Sequence, residues 1–229
     1  MIKNCKAILL DVDNTLLDFN LCAKEAMIQT FSLWKLSYKE EMFPIFLECN
    51  DFLWEEIEKN HITREELYKI RWKMIFEKLG ILGIDHVAFD AHFRKGIGES
   101  AVPIDGAYVL LEYLARKYIL CIASNASHAR QVKRLKKANM MPYVAHLFSS
   151  EQIGHPKPEE AFFDACLANL AGIKREEVVV IGDSLSADIA GGKRSGMQTI
   201  WFNYKHEKSS GVYHPDYTVD DLTDILNIL

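Results

Sequence analysis

The first apolar run of the chain, Ala7-Ile8-Leu9-Leu10, is too short and too unbroken for an amphipathic helix. It fits a strand buried on both faces of a parallel sheet. It runs into polar residues at Asp11, and after Thr15 the period changes. For about eighty residues apolar positions recur at spacings of three and four. Ala23, Met27, Thr30, Phe31 and Trp34 form one stripe, and Phe46, Leu47, Asn50, Leu53, Trp54 and Ile57 a second, with Pro44 suited to that helix's first turn. Thr63-Arg64-Glu65-Glu66 reads as a capping box that opens a third helix carrying Leu67, Ile70, Met74 and Leu79, closed by Gly80 and Gly83. Asp85 is the expected cap of a fourth helix that runs through Phe93 and stops before Gly96-Ile97-Gly98. Residues 17–96 are therefore expected to form an inserted helical cap domain.

From Val102 onward strands and helices alternate. The pattern predicts helices over 105–116, 127–139 and 186–195, strands over 118–123, 178–181 and 198–202, and a weakly signalled strand over 146–148. The loop Gly154-His155-Pro156-Lys157-Pro158 opens a further helix running to Ala171, and a last strand and helix complete the chain. Strands separated by helices of this length imply right-handed crossovers. The expected fold is α/β, a doubly wound, parallel, Rossmann-like sheet core made of residues 1–16 and 97–229.

Composition narrows the function classes. A chain of 229 residues fits one large domain or two modest ones at roughly 100 to 200 residues per domain. A net charge of -5 without a basic stripe argues against nucleic acid as partner. The helix at 127–139 does carry Arg130, Lys133, Arg134, Lys136 and Lys137, which read as a solvated face. The five cysteines are scattered in apolar or helical stretches, unlike a zinc site or a disulfide framework. Asp11 arrives before a leader's apolar region has room to form, and no run approaches the ~18 apolar residues of a membrane span. The expectation is a cytoplasmic protein with no membrane partner, monomeric or homodimeric.

Chemistry enters where strands end. Asp11-Val12-Asp13-Asn14-Thr15 taken alone fits a polar turn as well as a site, because Asp and Asn bond their own backbone in turns. Three strands, however, end in polar residues at the same relative place: Asp11 and Asp13, then Ser124 and Asn125, then Asp183. In a parallel sheet those ends share one edge, where ligands bind. Lys157 at a helix mouth and Asp188, five residues after Asp183, join them. Carboxylates for a divalent metal, donors and a cation for phosphate oxygens, and one carboxylate free to attack make an inventory for phosphoryl transfer.

These residues resemble the haloacid dehalogenase-like hydrolases, whose four motifs occur here in order: Asp11-Val12-Asp13-Asn14-Thr15, Ser124-Asn125, Lys157-Pro158, and Gly182-Asp183-Ser184 with Asp188. Ala126 stands where glycine is usual, and His155-Pro156 precedes the lysine. The resemblance implies catalytic roles for Asp11, Asp13, Ser124 and Lys157. Asp11 would be the nucleophile that becomes an aspartyl-phosphate, and Asp13 the acid that protonates the leaving oxygen and later activates water. It implies Mg²⁺ as cofactor on Asp11, the Asp13 carbonyl and Asp183, with Asp188 supporting the metal and Lys157. It also implies substrate contacts at Thr15, Asn125 and Ala126. Asp13 favours phosphate esters over halides, whose departure needs no proton.

A cap inserted after the first motif implies a small-molecule phosphate ester as substrate. Asp18-Phe19-Asn20, Asn50-Asp51-Phe52-Leu53-Trp54, Ile62-Thr63, Leu67 and Arg71-Trp72 are similar to bacterial pyrimidine-type 5'-nucleotidases. That similarity points to a nucleoside 5'-monophosphatase, with Phe19 against base or sugar. A phosphoglycolate or sugar-phosphate phosphatase would share every core motif, whereas a sugar phosphomutase would need the aspartyl-phosphate protected from water and a bisphosphate intermediate. Trp34, Trp54 and Trp72 are expected to pack between cap helices.

Overall fold

The computed structural model describes residues 1–207 and 211–229. The chain folds into two compact units: Met1–Asp18 with Val102–Leu229, and Phe19–Ala101.

The first unit is built on a six-stranded parallel sheet in the order β3-β2-β1-β4-β5-β6. The strands are β1 (Ala7–Leu10), β2 (Ile119–Ser124), β3 (His146–Ser149), β4 (Val178–Gly182), β5 (Gln198–Phe202) and β6 (Tyr217–Val219). Ala7 to Leu10 are fully buried, as a central parallel strand requires. The strand order reverses between β1 and β4, the topological switch point at which such sheets bind ligands. Leu10 lies beside Ile122 of β2 and Ile181 of β4, so the next residues of all three strands emerge together at that crevice. One face of the sheet, through Ala7, Leu9, Cys121, Ala123, Val178 and Val180, packs on Phe162, Phe163 and Cys166. Those three belong to the helix Glu160–Ala168. The chain leaves and re-enters this unit side by side, with the Asp18 N–H donating to the Val102 carbonyl at 2.8 Å.

The second unit holds α1 (Phe19–Leu33), α2 (Met42–Glu58), α3 (Arg64–Leu79) and α4 (His86–Gly98). Its core is aromatic: Phe31, Phe46, Trp72, Phe89 and Phe93 are buried together, with the Trp72 and Phe89 rings 4.5 Å apart. Trp34 packs against this cluster and Trp54 against a smaller one around Leu53, Ile57 and Leu67. The capping box opens α3: the Glu66 N–H donates to Thr63 Oγ1 and the Thr63 N–H to the Glu66 carboxylate. Asp85 caps α4 through the N–H groups of Val87 and Ala88. Contrary to the sequence expectation, α4 does not stop before Gly96 but continues through it. A Cβ on Gly96 would lie 3.0 Å from the Ala26 Cβ, so glycine there brings α4 close to α1 rather than ending it.

The predicted helix 186–195 is also irregular, beginning as a π turn (Leu185–Ile189) before a short α segment (Ala190–Arg194). The remaining α-helices of the first unit are α5 (Ala107–Lys117), α6 (His128–Lys137) and α7 (Ser150–Ile153), and the expected last helix is a 3-10 helix over Leu222–Asn227.

Inside the cap unit one charge network is buried. Arg71 donates to Asp90 Oδ1 through Nε at 3.1 Å and Nη2 at 2.6 Å, and to Asn50 Oδ1 through Nη1 at 3.1 Å. Arg94 Nε reaches the other Asp90 oxygen at 2.6 Å. Asn50 and Arg71 thus lie inside the cap as a structural clamp. Removing one partner of a buried pair costs about 3–5 kcal/mol, because the other charge stays buried. Arg71→Met should therefore lower unfolding free energy by about 3 kcal/mol or more in urea titrations. A loss within error of zero would show that Asp90 does not depend on Arg71.

Candidate active site

At the switch point a lysine draws the strand ends together. Lys157 is buried, and its ammonium donates to Asp11 Oδ1 at 2.7 Å, the Ala123 carbonyl at 2.7 Å and Asp188 Oδ1 at 2.6 Å. All three of its protons are engaged. Burial alone would lower its pKa, but Asp11 and then Asp188 raise it, so it stays charged. Asn125 aims it: its amide nitrogen donates to the Lys157 carbonyl at 2.9 Å, and its amide oxygen accepts from the Lys157 N–H at 2.8 Å.

Asp188 reaches the lysine because β4 ends in glycine. A Cβ on Gly182 would fall 2.1 Å from Asp188 Oδ2. The π turn then carries Asp188 back over the strand end, where its second oxygen accepts from the Ser184 N–H at 3.2 Å. Asp183 is held by its own carbonyl, which accepts from Trp201 Nε1 at 2.8 Å.

Oxygens of Asp11, Asp183 and Asp188 lie within 4.8 Å of one another. Burial raises the Asp11 pKa to about 7, with Asp188 and Asp13 adding to the rise and Lys157 opposing it. Burial, then Asp11 and Asp188, push Asp183 well above the usual carboxylate range. Three carboxylates around one ammonium form an all-oxygen donor set with negative charge in excess. That fits a hard divalent cation such as Mg²⁺.

Asp13 sits in a different field. Its oxygens accept from Gln131 Nε2 at 2.7 Å and from Arg134 Nη1. Burial would raise its pKa, but Arg134 and then Arg130 hold it below the usual range. Arg134 is fully buried, which corrects the reading of the basic helix as wholly solvated. Lys133, Lys136 and Lys137 do face solvent, while Arg134 turns inward. Gln131 was likewise not expected. The available signal was the spacing of four and then three residues from Ser127, which precedes α6, to Gln131 and Arg134, which puts them on one side just after the second motif.

Ser124 is buried, and its Oγ accepts from the Gln131 amide at 2.9 Å and from the Ala126 N–H at 3.1 Å. Ala126 is not among the residues with left-handed backbone, so alanine is accommodated without strain where glycine is usual. Thr15 is fully buried in the turn after β1, where the Val12 carbonyl accepts from its N–H and from those of Leu16 and Leu17. Asn14 takes the left-handed conformation that asparagine tolerates. Phe19 begins α1 and packs against the cap's aromatic cluster.

The strand-order switch point lined by Asp11, Asp183, Asp188 and Lys157 is the ligand crevice of a doubly wound α/β protein. The model of the haloacid dehalogenase-like hydrolase family matches residues 5–196, and the chain belongs to that family. It is 31% identical to the pyrimidine 5'-nucleotidase PynA of Streptococcus pneumoniae over 98% of this chain and 94% of that protein. It is 27% identical to the pyrimidine 5'-nucleotidase YjjG of Escherichia coli over 97% and 96%. A crystal structure of the HAD-hydrolase YfnB of Bacillus subtilis, bound to magnesium, superposes with a TM-score of 0.94 at 29% identity, covering 99% of each chain.

A cation that binds the ionised carboxylates must displace the proton Asp11 holds below about pH 7. Mg²⁺ affinity should therefore fall as pH drops through 7, and binding at pH 6.5 should release protons. Calorimetry in two buffers of different ionisation enthalpy checks this. Affinity flat from pH 6 to 8 with no proton release would contradict it.

Proposed function

We propose that this hydrolase cleaves small phosphomonoesters through an aspartyl-phosphate on Asp11, and that nucleoside 5'-monophosphates are its substrate class. The observation that carries the reading is the Lys157 ammonium at 2.7 Å from Asp11 Oδ1, with Asp13 two residues on and Asp183 and Asp188 beside them. The similarity to PynA and YjjG along nearly the whole chain supports the nucleotide class.

In this mechanism the Asp11 carboxylate attacks phosphorus while the ester oxygen leaves with a proton from Asp13. Water then attacks the acyl phosphate, Asp13 takes its proton, and inorganic phosphate departs with Asp11 restored. Lys157 and Ser124 would hold phosphate oxygens, Lys157 exchanging one of its three present acceptors for the phosphate. Asn125 contributes by fixing the Lys157 backbone, and Ala126 and Thr15 by shaping the loops around the phosphate. Mg²⁺ bound by Asp11, Asp183 and the Asp13 carbonyl, with Asp188 behind them, would supply the positive charge that lets two anions approach. Phe19 is the proposed ring against base or ribose.

The test is a panel of nucleotides, sugar phosphates and phosphoglycolate assayed with Mg²⁺. Nucleoside monophosphates should lead, and chelator should abolish turnover. Asp11→Asn, nearly isosteric, should lower kcat by several orders of magnitude while leaving the fold intact. Activity retained within tenfold would remove Asp11 from the mechanism. A sugar phosphate or phosphoglycolate ranking first would retire the nucleotide class alone.

Asp13→Asn separates the two aspartates. Proton donation matters most for a poor leaving group. Single-turnover phosphoenzyme formation should slow far more for a nucleotide than for an activated aryl phosphate. Equal slowing would show that Asp13 is not the acid.

A further inference from the structure

Helix α6 buries two polar side chains that its basic surface conceals. Gln131 and Arg134 are both fully buried. The Gln131 amide nitrogen has two protons. One goes to Asp13 Oδ2 at 2.7 Å and the other to Ser124 Oγ at 2.9 Å. Its amide oxygen accepts from Arg134 Nη1 at 3.3 Å. The same guanidinium nitrogen donates to Asp13 Oδ1.

This network admits one orientation of the amide. Turned over, Gln131 would set its oxygen against the Asp13 carboxylate and its NH₂ against the guanidinium. Both Asp13 oxygens are thus held by one helix, and the same amide ties Asp13 to Ser124 on the neighbouring strand end.

The arrangement is costly for folding alone. A buried guanidinium must be paired and hydrogen-bonded to offset its desolvation, and in many proteins an apolar pair of similar volume serves stability as well. Asp13 lies in the turn beyond β1, where its backbone makes an isolated bridge to Leu17 that leaves the direction of its side chain to other contacts. What the network secures is the direction of that carboxylate.

We propose that Gln131 and Arg134 are positioning residues that fix the Asp13 carboxylate for proton transfer and couple its setting to Ser124. The inference rests on the phosphatase reading above. In the step concerned the Asp13 proton passes to the ester oxygen as the P–O bond breaks with its electron pair and the bond to Asp11 forms. Transfer over hydrogen-bond distance is sensitive to the donor's direction, so a loosened carboxylate penalises esters in proportion to their need for a proton.

The experiment is single-turnover phosphoenzyme formation by the full chain with Mg²⁺, using a nucleoside 5'-monophosphate and 4-nitrophenyl phosphate. Gln131→Met keeps the side chain's length and removes its donors and acceptor. Its rate with the nucleotide should fall at least tenfold more than its rate with the aryl ester. In an Asp13→Asn background the same substitution should change the nucleotide rate less than twofold. Arg134→Lys, which keeps the charge and loses the fork, should show the same bias towards the nucleotide.

Equal slowing of both esters, unchanged rates, or full additivity with Asp13→Asn would overturn the proposal while leaving the phosphatase reading in place. So would failure of both variants to fold, which would make the pair structural. Absence of phosphoenzyme from every ester in the wild type would overturn the phosphatase reading and this inference with it.

Discussion

The site depends on burying one ammonium. Lys157 could not be taken out of water unless each of its three protons met an acceptor, since an uncompensated buried charge costs several kcal/mol. The acceptors come from the end of β1, the end of β2 and the turn after β4: Asp11, the Ala123 carbonyl and Asp188. Segments far apart in sequence are thereby tied at one point. The requirement extends outward to Asn125, which must grip the lysine's backbone, and to Gly182, which must lack a side chain for Asp188 to arrive.

The same lysine leaves the charge unbalanced in a useful direction. With three carboxylates around one ammonium, neither Asp11 nor Asp183 ionises freely, and both are held towards the neutral form until more positive charge enters. On the proposed mechanism a divalent cation and the ionised Asp11 would favour each other, so that binding the metal and freeing the nucleophile would be one event.

The sheet and the strand-end residues were legible because each rests on a local rule. An unbroken apolar tetrapeptide before two aspartates identifies β1 and its terminus, and the capping box at Thr63 identifies the start of α3. What escaped depends on which neighbour a side chain meets. Gly96 looks like a helix stop by propensity, yet α4 passes through it because Ala26 needs the space. Arg134 looks like one more solvated cation on a basic helix, yet it is buried because Asp13 waits beneath it. The motif places the backbone near Asn125 at the phosphate but does not reveal that the Asn125 side chain grips the Lys157 backbone. Burial of a polar group is a tertiary property, and one chain's periodicity carries no record of the partner that makes it affordable.

Asp13 meets opposing demands if it serves both half-reactions. Arg134 and Arg130 hold it ionised, which suits the second half, where it takes a proton from water. The first half requires the same group to carry a proton that those arginines disfavour. A phosphate monoester surrenders its second proton only near pH 6, so the substrate can bring a proton into the site as it binds. The two arginines then leave less of Asp13 protonated at rest but favour release of its proton in the first step and the free base in the second. They make Asp13 a poor keeper of the proton, which eases its passage to the leaving oxygen. That passage returns the carboxylate to its ion pair with Arg134, the state in which it serves as base. Raising the Asp13 pKa by removing Arg134 would give a carboxyl more readily protonated at rest, but one that yields the proton less willingly and is less often ionised when water must be activated.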